Sequence, residues 1–326
     1  MTERFAVGSS PHIHAPLDTR KIMAWVLVSL LPAGAVGVWF LGSSSLAVIA
    51  TCVIVCVGSE FLWQRLAGQR VTVSDLSAAV TGLLLAYNLP PTIPLWMAAC
   101  GSVFAIVLVK QFFGGLGGNI VNPALAARAM MLISWPVAMT TWTVQGVSGA
   151  TPLAFLKGMS SAAAVSQATS AATEAASSTS PALHALWNLF IGNVGGCIGE
   201  TSAAALLLGG AVLIWRGIIS WRIPVVYIAT VAVLSLAFGR AGGPLYEVLV
   251  GGLMLGAFFM ATDYTTSPMT ARGQFVFAAG CGLLTALIRT FGGYPEGVSY
   301  SILIMNLTVP LIDRLTVPRI LGEARR

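Results

Sequence analysis

The residue best placed for chemistry is a threonine between small residues and a proline, in Gln145-Gly146-Val147-Ser148-Gly149-Ala150-Thr151-Pro152-Leu153. Gly149 and Ala150 leave the Thr151 hydroxyl unshielded, and a residue before proline is biased toward an extended backbone. No His or Cys stands nearby in sequence to serve as its base, so a self-activated nucleophile is not indicated. A hydroxyl displayed this way suits modification by another protein. The plain alternative is a Gly-Ala-Pro turn in a surface loop.

Further candidates are amides and charges in apolar surroundings. Asn119 and Asn122 lie in Phe113-Gly114-Gly115-Leu116-Gly117-Gly118-Asn119-Ile120-Val121-Asn122-Pro123. Two amides on a glycine-thinned backbone can present donors and acceptors to a flat heterocycle. Asn122 followed by proline is equally a helix start, with Asn as cap and Pro in the first turn. Glu200, in Gly192-Asn193-Val194-Gly195-Gly196-Cys197-Ile198-Gly199-Glu200-Thr201-Ser202, is an acid at membrane depth. It reads either as functional or as the cap of a broken helix. Asp263, in Asp263-Tyr264-Thr265-Thr266-Ser267-Pro268, marks a polar break that could hold an ion or simply be a loop. Asp75 opens or closes a span in the same way. Arg128 is expected to snorkel from inside a span to the nearer interface. His12 and His14 lack the further ligands a closed metal site needs, so no metal centre is expected.

These residues must be positioned by helices in a bilayer. Of 326 residues 56% are hydrophobic and 9% charged, with mean hydropathy +0.86, against about 25% charged in soluble domains. The expected fold is an all-α polytopic membrane protein. Apolar stretches of about 20 residues fall at 22–40, 46–62, 75–89, 94–112, 122–136, 183–215 (broken), 222–238, 245–261, 273–290 and 298–314, giving about ten transmembrane helices, some short or broken. The expected divisions are a cytoplasmic segment 1–21, a first five-helix repeat 22–136, a loop 137–182, a second repeat 183–316 and a tail 317–326. The loop continues into an Ala/Ser/Thr-rich stretch, 160–180, that cannot build a core alone. Alternating the spans from a cytoplasmic amino terminus places most of the 17 basic residues inside. Only Lys157, Arg240 and Arg289 fall outside, and Arg128 stays within the fifth span. Both termini are then cytoplasmic and the Thr151 loop faces outward. The net charge of +6 is thereby absorbed as a topology signal, leaving no case for nucleic acid. Gly82-Leu83-Leu84-Leu85 echoes Gly252-Leu253-Met254-Leu255, and Phe113-Gly114-Gly115 echoes Phe291-Gly292-Gly293. Repeats of five spans each would be inserted upside down relative to each other, a transporter-like plan. The five cysteines lack a C-x-x-C and read as small core residues, not as an iron–sulfur ligand set.

Four motifs carry a resemblance covering nearly the whole chain. They are Ser10-Pro11-His12-Ile13-His14, the glycine-asparagine link, Ser148-Gly149-Ala150-Thr151-Pro152-Leu153 and Gly199-Glu200-Thr201-Ser202, in this order. The chain resembles the D subunits of Rnf-type ion-translocating ferredoxin:NAD oxidoreductase complexes. It is also similar to the B subunit of the sodium-pumping NADH:quinone reductase. The resemblance implies an FMN held by a phosphoester on Thr151, the last residue of a D-x-x-[ST]-G-A-T motif that includes Ser148, Gly149 and Ala150 and is modified by a flavin transferase. Gln145 stands where the family has Asp, which bears on transferase recognition and not on the acceptor. The resemblance further implies a non-covalent riboflavin on the cytoplasmic side, with Asn119 and Asn122 as its contacts. Arg128 paired with a flavin ring is then the alternative to snorkelling, and Glu200 and Asp263 are candidates for an ion path. The implied role is an electron relay in a bacterial cytoplasmic (inner) membrane, coupled in the complex to Na+ or H+ translocation and not catalytic alone. Implied partners are other Rnf subunits, including a second covalent-FMN subunit and iron–sulfur subunits, together with the lipid bilayer. The alternatives are the quinone-reductase B subunit and a flavin-free solute transporter or channel.

Overall fold

The computed structural model describes residues 18–144, 147–149, 181–192, 195–240, 243–293 and 296–317. Helix α1 (Thr19–Leu41) and helix α2 (Ser43–Leu66) are uninterrupted apolar runs joined at Gly42, whose φ of 89° suits glycine. A short 3-10 turn, Val73–Asp75, leads into α3 (Ser77–Tyr87), where the Asp75 carboxylate accepts hydrogen bonds from the Ser77 N–H and hydroxyl at 2.8 and 2.6 Å. Helix α3 ends at Tyr87, short of the expected 75–89, and Pro90, Pro91 and Pro94 then bar helix through an irregular link. Helix α4 (Leu95–Val103) winds into a π-helical stretch, Phe104–Gln111. Helices α5 (Pro123–Ser134) and α6 (Pro136–Thr140) follow. The interval expected as loop opens with α6 and a two-stranded hairpin, β1 (Trp142–Val144) against β2 (Val147–Gly149).

The second half begins with α7 (Pro181–Ile191) and α8 (Ala203–Trp215), separated by the expected break. Helix α9 (Arg222–Ala237) comes next. Helix α10 (Gly243–Leu249) and α11 (Leu253–Leu255, running on as a π stretch, Gly256–Met260) meet at a bend of 67°, where the sequence suggests one continuous span. Helices α12 (Ala271–Phe291) and α13 (Val298–Thr316) close the chain.

Among the described residues α1, α2, α12 and α13 are each long and apolar enough to cross a membrane, and the bent α10–α11 pair would be a fifth. Helix α2 packs along α3 and α4, α9 along α12, and α1 along α8. One continuous apolar core runs through both halves, from Leu30 and Leu125 to Leu253 and Phe277. Cys52, Cys56, Cys197 and Cys281 are buried in or beside it, whereas Cys100 faces outward, unlike the core position its sequence context suggests. The segment between α7 and α8 is tied to the end of α3: Ile198 N donates to Leu89 O and Gly199 N to Tyr87 O, at 3.1 and 2.9 Å. A Cβ at Gly199 would strike the Tyr87 ring, so this approach needs glycine.

Candidate functional site

Among the described residues several polar assemblies interrupt the core, and two of them take up residues singled out in the sequence. The first is a cavity of about 90 Å³, several times the space one water needs. It lies among Ser77 and Thr81 of α3, Lys110 of α4, Asn119, Asn122 and the Thr262–Thr265 stretch. Asn122 is the α5 cap: its Oδ1 accepts from Ala124 N and Leu125 N at 3.1 and 3.2 Å. Its Nδ2 donates to Met260 O, the end of α11, at 3.4 Å. Asn306 of α13, with its amide oriented to satisfy both ends, accepts from Asn122 N (3.1 Å) and donates to Thr266 O (3.0 Å). Three separate stretches are thus pinned around one space. Asn119 differs from Asn122, because its Oδ1 is buried without a partner. A buried unpaired acceptor costs about 1–3 kcal/mol, so a donor brought by a ligand would be stabilised here.

Asp263 faces the same cavity, its Oδ2 accepting from the Thr265 and Thr266 hydroxyls at 2.9 and 3.2 Å. Burial pushes its carboxyl above the usual range, against those two donors and the more distant Lys110 charge. Lys110 is enclosed, its Nζ donating to both Glu60 oxygens at 3.0 and 2.8 Å and to Ser77 Oγ at 2.6 Å. Gln111 and Gln64 complete the Glu60 shell at 2.9 and 3.3 Å. Among the described residues lining the cavity, Asn119 Oδ1 is the buried side-chain atom left without a partner.

The second assembly centres on Arg128. The expectation that it snorkels fails. The guanidinium is 6% exposed and turns inward, donating from one nitrogen to Asn88 Oδ1 (2.7 Å) and Glu200 Oε1 (3.1 Å) and from the other to Glu296 Oε2. That second nitrogen also reaches Cys197 Sγ at 3.5 Å, and Cys197 donates onward to Asn88 O. Snorkelling loses because two carboxylates bind the cation inside the protein and offset its desolvation. Glu200 is therefore not the helix cap. Ser202 is, accepting from Ala205 N at 3.2 Å. Gly252, at the α10–α11 bend, makes room for Glu200, since a Cβ there would lie 2.6 Å from Oε1. A third ion cluster adjoins the bend. Glu247 takes Arg240 at 2.6 Å and Arg289 at 3.1 Å, and Arg289 also binds the Glu247 and Val250 carbonyls freed by the break.

The structure thus gathers Asn119, Asn122 and Asp263 at one cavity and puts Glu200 at the separate arginine centre. Ser148 and Gly149 form part of β2. Thr151 and Ala150 lie outside the described residues, as do His12 and His14. Sequence reasoning missed Glu60, Lys110, Asn88, Asn306 and Glu296. Glu60 had a usable signal, an acid inside an apolar span. Glu296 had none, because an acid in Tyr294-Pro295-Glu296-Gly297 looks like an ordinary turn residue.

Residues 6–322 match the family described as NQR2, RnfD, RnfE. The chain is 51% identical over 325 residues to the D subunit of the Na(+)-translocating ferredoxin:NAD(+) oxidoreductase complex of Acetobacterium woodii, covering 98% of this chain and 96% of that one. It is 46% identical to the D subunit of the proton-translocating ferredoxin:NAD(+) oxidoreductase complex of Clostridium ljungdahlii, covering 98% and 97%. Against the D subunit of the ion-translocating oxidoreductase complex of Halorhodospira halophila the identity is 38%, covering 97% and 95%. With end-to-end coverage at such identities, the chain belongs to the NQR2, RnfD, RnfE family.

Proposed function

We propose that this chain is the D subunit of an ion-translocating ferredoxin:NAD oxidoreductase complex in a bacterial cytoplasmic membrane, acting as an electron relay with no catalysis of its own. The observation that carries the reading is near-complete alignment with three D subunits of ion-translocating oxidoreductase complexes, two of them named for ferredoxin and NAD(+). The family's description also names NQR2, but these relatives favour the ferredoxin-linked complex. Their names differ in the ion, Na+ in one and protons in another, so both remain candidates. Partners would be the other complex subunits, a second covalent flavoprotein and iron–sulfur proteins among them, and a flavin transferase.

The cofactors in this reading are FMN esterified to Thr151 and a non-covalent riboflavin. Bound flavins would supply one-electron steps between donors and acceptors. The residues present fit the second group. Asn119 Oδ1 is an orphaned buried acceptor, suited to a ring N–H, and the Asn122, Ser77 and Thr81 polar groups lie around the same cavity. Lys110, fixed by Glu60, sets a buried positive charge on that wall without spending a donor on the ligand. For Thr151 the support is the motif Ser148-Gly149-Ala150-Thr151-Pro152-Leu153 in the sequence. Asp263 and Glu200 are the candidate ion-path groups.

Ten spans in two inverted repeats remain the best account of the architecture. Helices α4 and α12 both end in a buried cation shortly before Phe-Gly-Gly, Lys110 and Arg289, and each cation is paired to a buried glutamate, Glu60 and Glu247. With the amino terminus cytoplasmic, the cavity opens on the cytoplasmic half and the Thr151 loop lies outside.

The test is covalent flavin. Expressed with its partners and a flavin transferase, the chain should give a fluorescent band in a denaturing gel and a peptide spanning Thr151 with the mass of FMN added. Both should vanish in Thr151→Ala. An unmodified native peptide would overturn the relay.

A further inference from the structure

We propose that Glu200, Arg128 and Glu296 form a site for one exchangeable proton, entered through Glu296. The inference deepens the ion-path part of the reading above and does not depend on flavin attachment. It starts from two acids on one cation: Arg128 holds Glu200 Oε1 at 3.1 Å on one terminal nitrogen and Glu296 Oε2 on the other. Two carboxylates held on one guanidinium repel each other, and a proton on one relieves the repulsion and lets that acid donate to the other.

The charges around the pair lead to the same place. Among the described residues Arg128 is the guanidinium bound to both acids. From α12, Arg289 acts on Glu296 at longer range; its two terminal nitrogens are engaged by the Glu247 carboxylate and by the Glu247 and Val250 carbonyls, and its Nε is buried without a partner. Glu247, from α10, is held from its other side by Arg240. Asn88, at the end of α3, gives Arg128 an oxygen, and the Cys197 thiol donates to a carbonyl. Among the described residues Arg128 is therefore the one cation in direct contact with the two acids. A second buried negative charge without its own counterion is costly and is relieved by protonation. A proton suits this place better than a metal ion, because Arg128 already bridges the two acids and a proton needs no volume.

Exposure gives the route. The Glu200 side chain is 2% exposed and that of Glu296 is 20%. A hydronium ion at the α12–α13 junction gives its proton to a Glu296 oxygen and leaves as water. The Glu296 O–H then donates to Glu200, and transfer leaves Glu200 neutral with Glu296 ionised against Arg128.

Infrared difference spectroscopy on the intact complex tests this. The wild type should show the carbonyl stretch of a protonated carboxyl at neutral pH, moving to lower frequency in D2O. The band should disappear in both Glu200→Gln and Glu296→Gln, since either leaves one acid matched to one arginine. Glu296→Asp keeps both acids and should shift the band without removing it. A wild type with no deuterium-sensitive band, a band surviving either glutamine variant, or one unmoved in Glu296→Asp would overturn the proposal. Ion translocation by the same variants is a separate readout: loss of the band with normal coupling would keep the proton site and remove Glu200 from the ion path.

Discussion

The cavity beside Lys110 and the centre around Arg128 are built from the same materials, a buried cation, buried acids and asparagines at helix ends, yet they are left in opposite states. At Arg128 the cation binds two carboxylates, an amide oxygen and a thiol. At the cavity the cation is fully engaged by Glu60 and Ser77, space remains, and the Asn119 oxygen has no partner. The difference separates two uses of buried polarity. A centre closed by its own side chains fixes how segments distant in sequence sit together and has room for no more than a proton, whereas one with free space and an unpaired oxygen suits a larger group.

Removing the pivot of the satisfied centre should have the largest consequence. Arg128→Met leaves two carboxylates buried against each other, and deleting one partner of a buried ion pair costs about 3–5 kcal/mol. Thermal unfolding in detergent should show a drop of several degrees or failure to assemble. Unchanged stability would mean the arginine is not what holds α3, α5 and the break together. Next comes Asn122→Ala, which removes the cap of α5 and should cost about 1 kcal/mol. Asn122→Asp should keep the cap and recover most of that loss, while still losing the donor to Met260 O. Equal effects from the two changes would show that the Met260 contact, not the cap, is what matters. Smallest for stability is Asn119→Leu. It deletes the orphaned oxygen, so unfolding should show stability unchanged or raised, whereas non-covalent flavin released on denaturation should fall. Lost stability with flavin retained would erase the contrast between the two regions.

The two regions were not equally legible. Asn122 could be assigned as a helix cap because capping is local: the amide and the N–H groups it binds are two and three residues apart. Arg128 misled because its partners Glu200 and Glu296 lie 72 and 168 residues away, and nothing in an apolar helix announces them. The early end of α3 had a local signal in Pro90, Pro91 and Pro94, although the expected span ran on to 89. The bend between α10 and α11 was not, since Val250-Gly251-Gly252 reads as part of an apolar run. The bend persists because Arg289, from another helix, takes up the carbonyls it frees.

What the sequence determined alone was therefore whatever depends on neighbours along the chain. The apolar all-helical class, the Asn122 cap and the family motifs all follow from runs of side chains and from short-range hydrogen bonds. Which polar groups would end buried, paired or left wanting was decided by the tertiary structure. In a low-dielectric interior a charge is stable only where its counterion arrives from another segment, and where segments meet is a property of the packed helices, not of any stretch by itself.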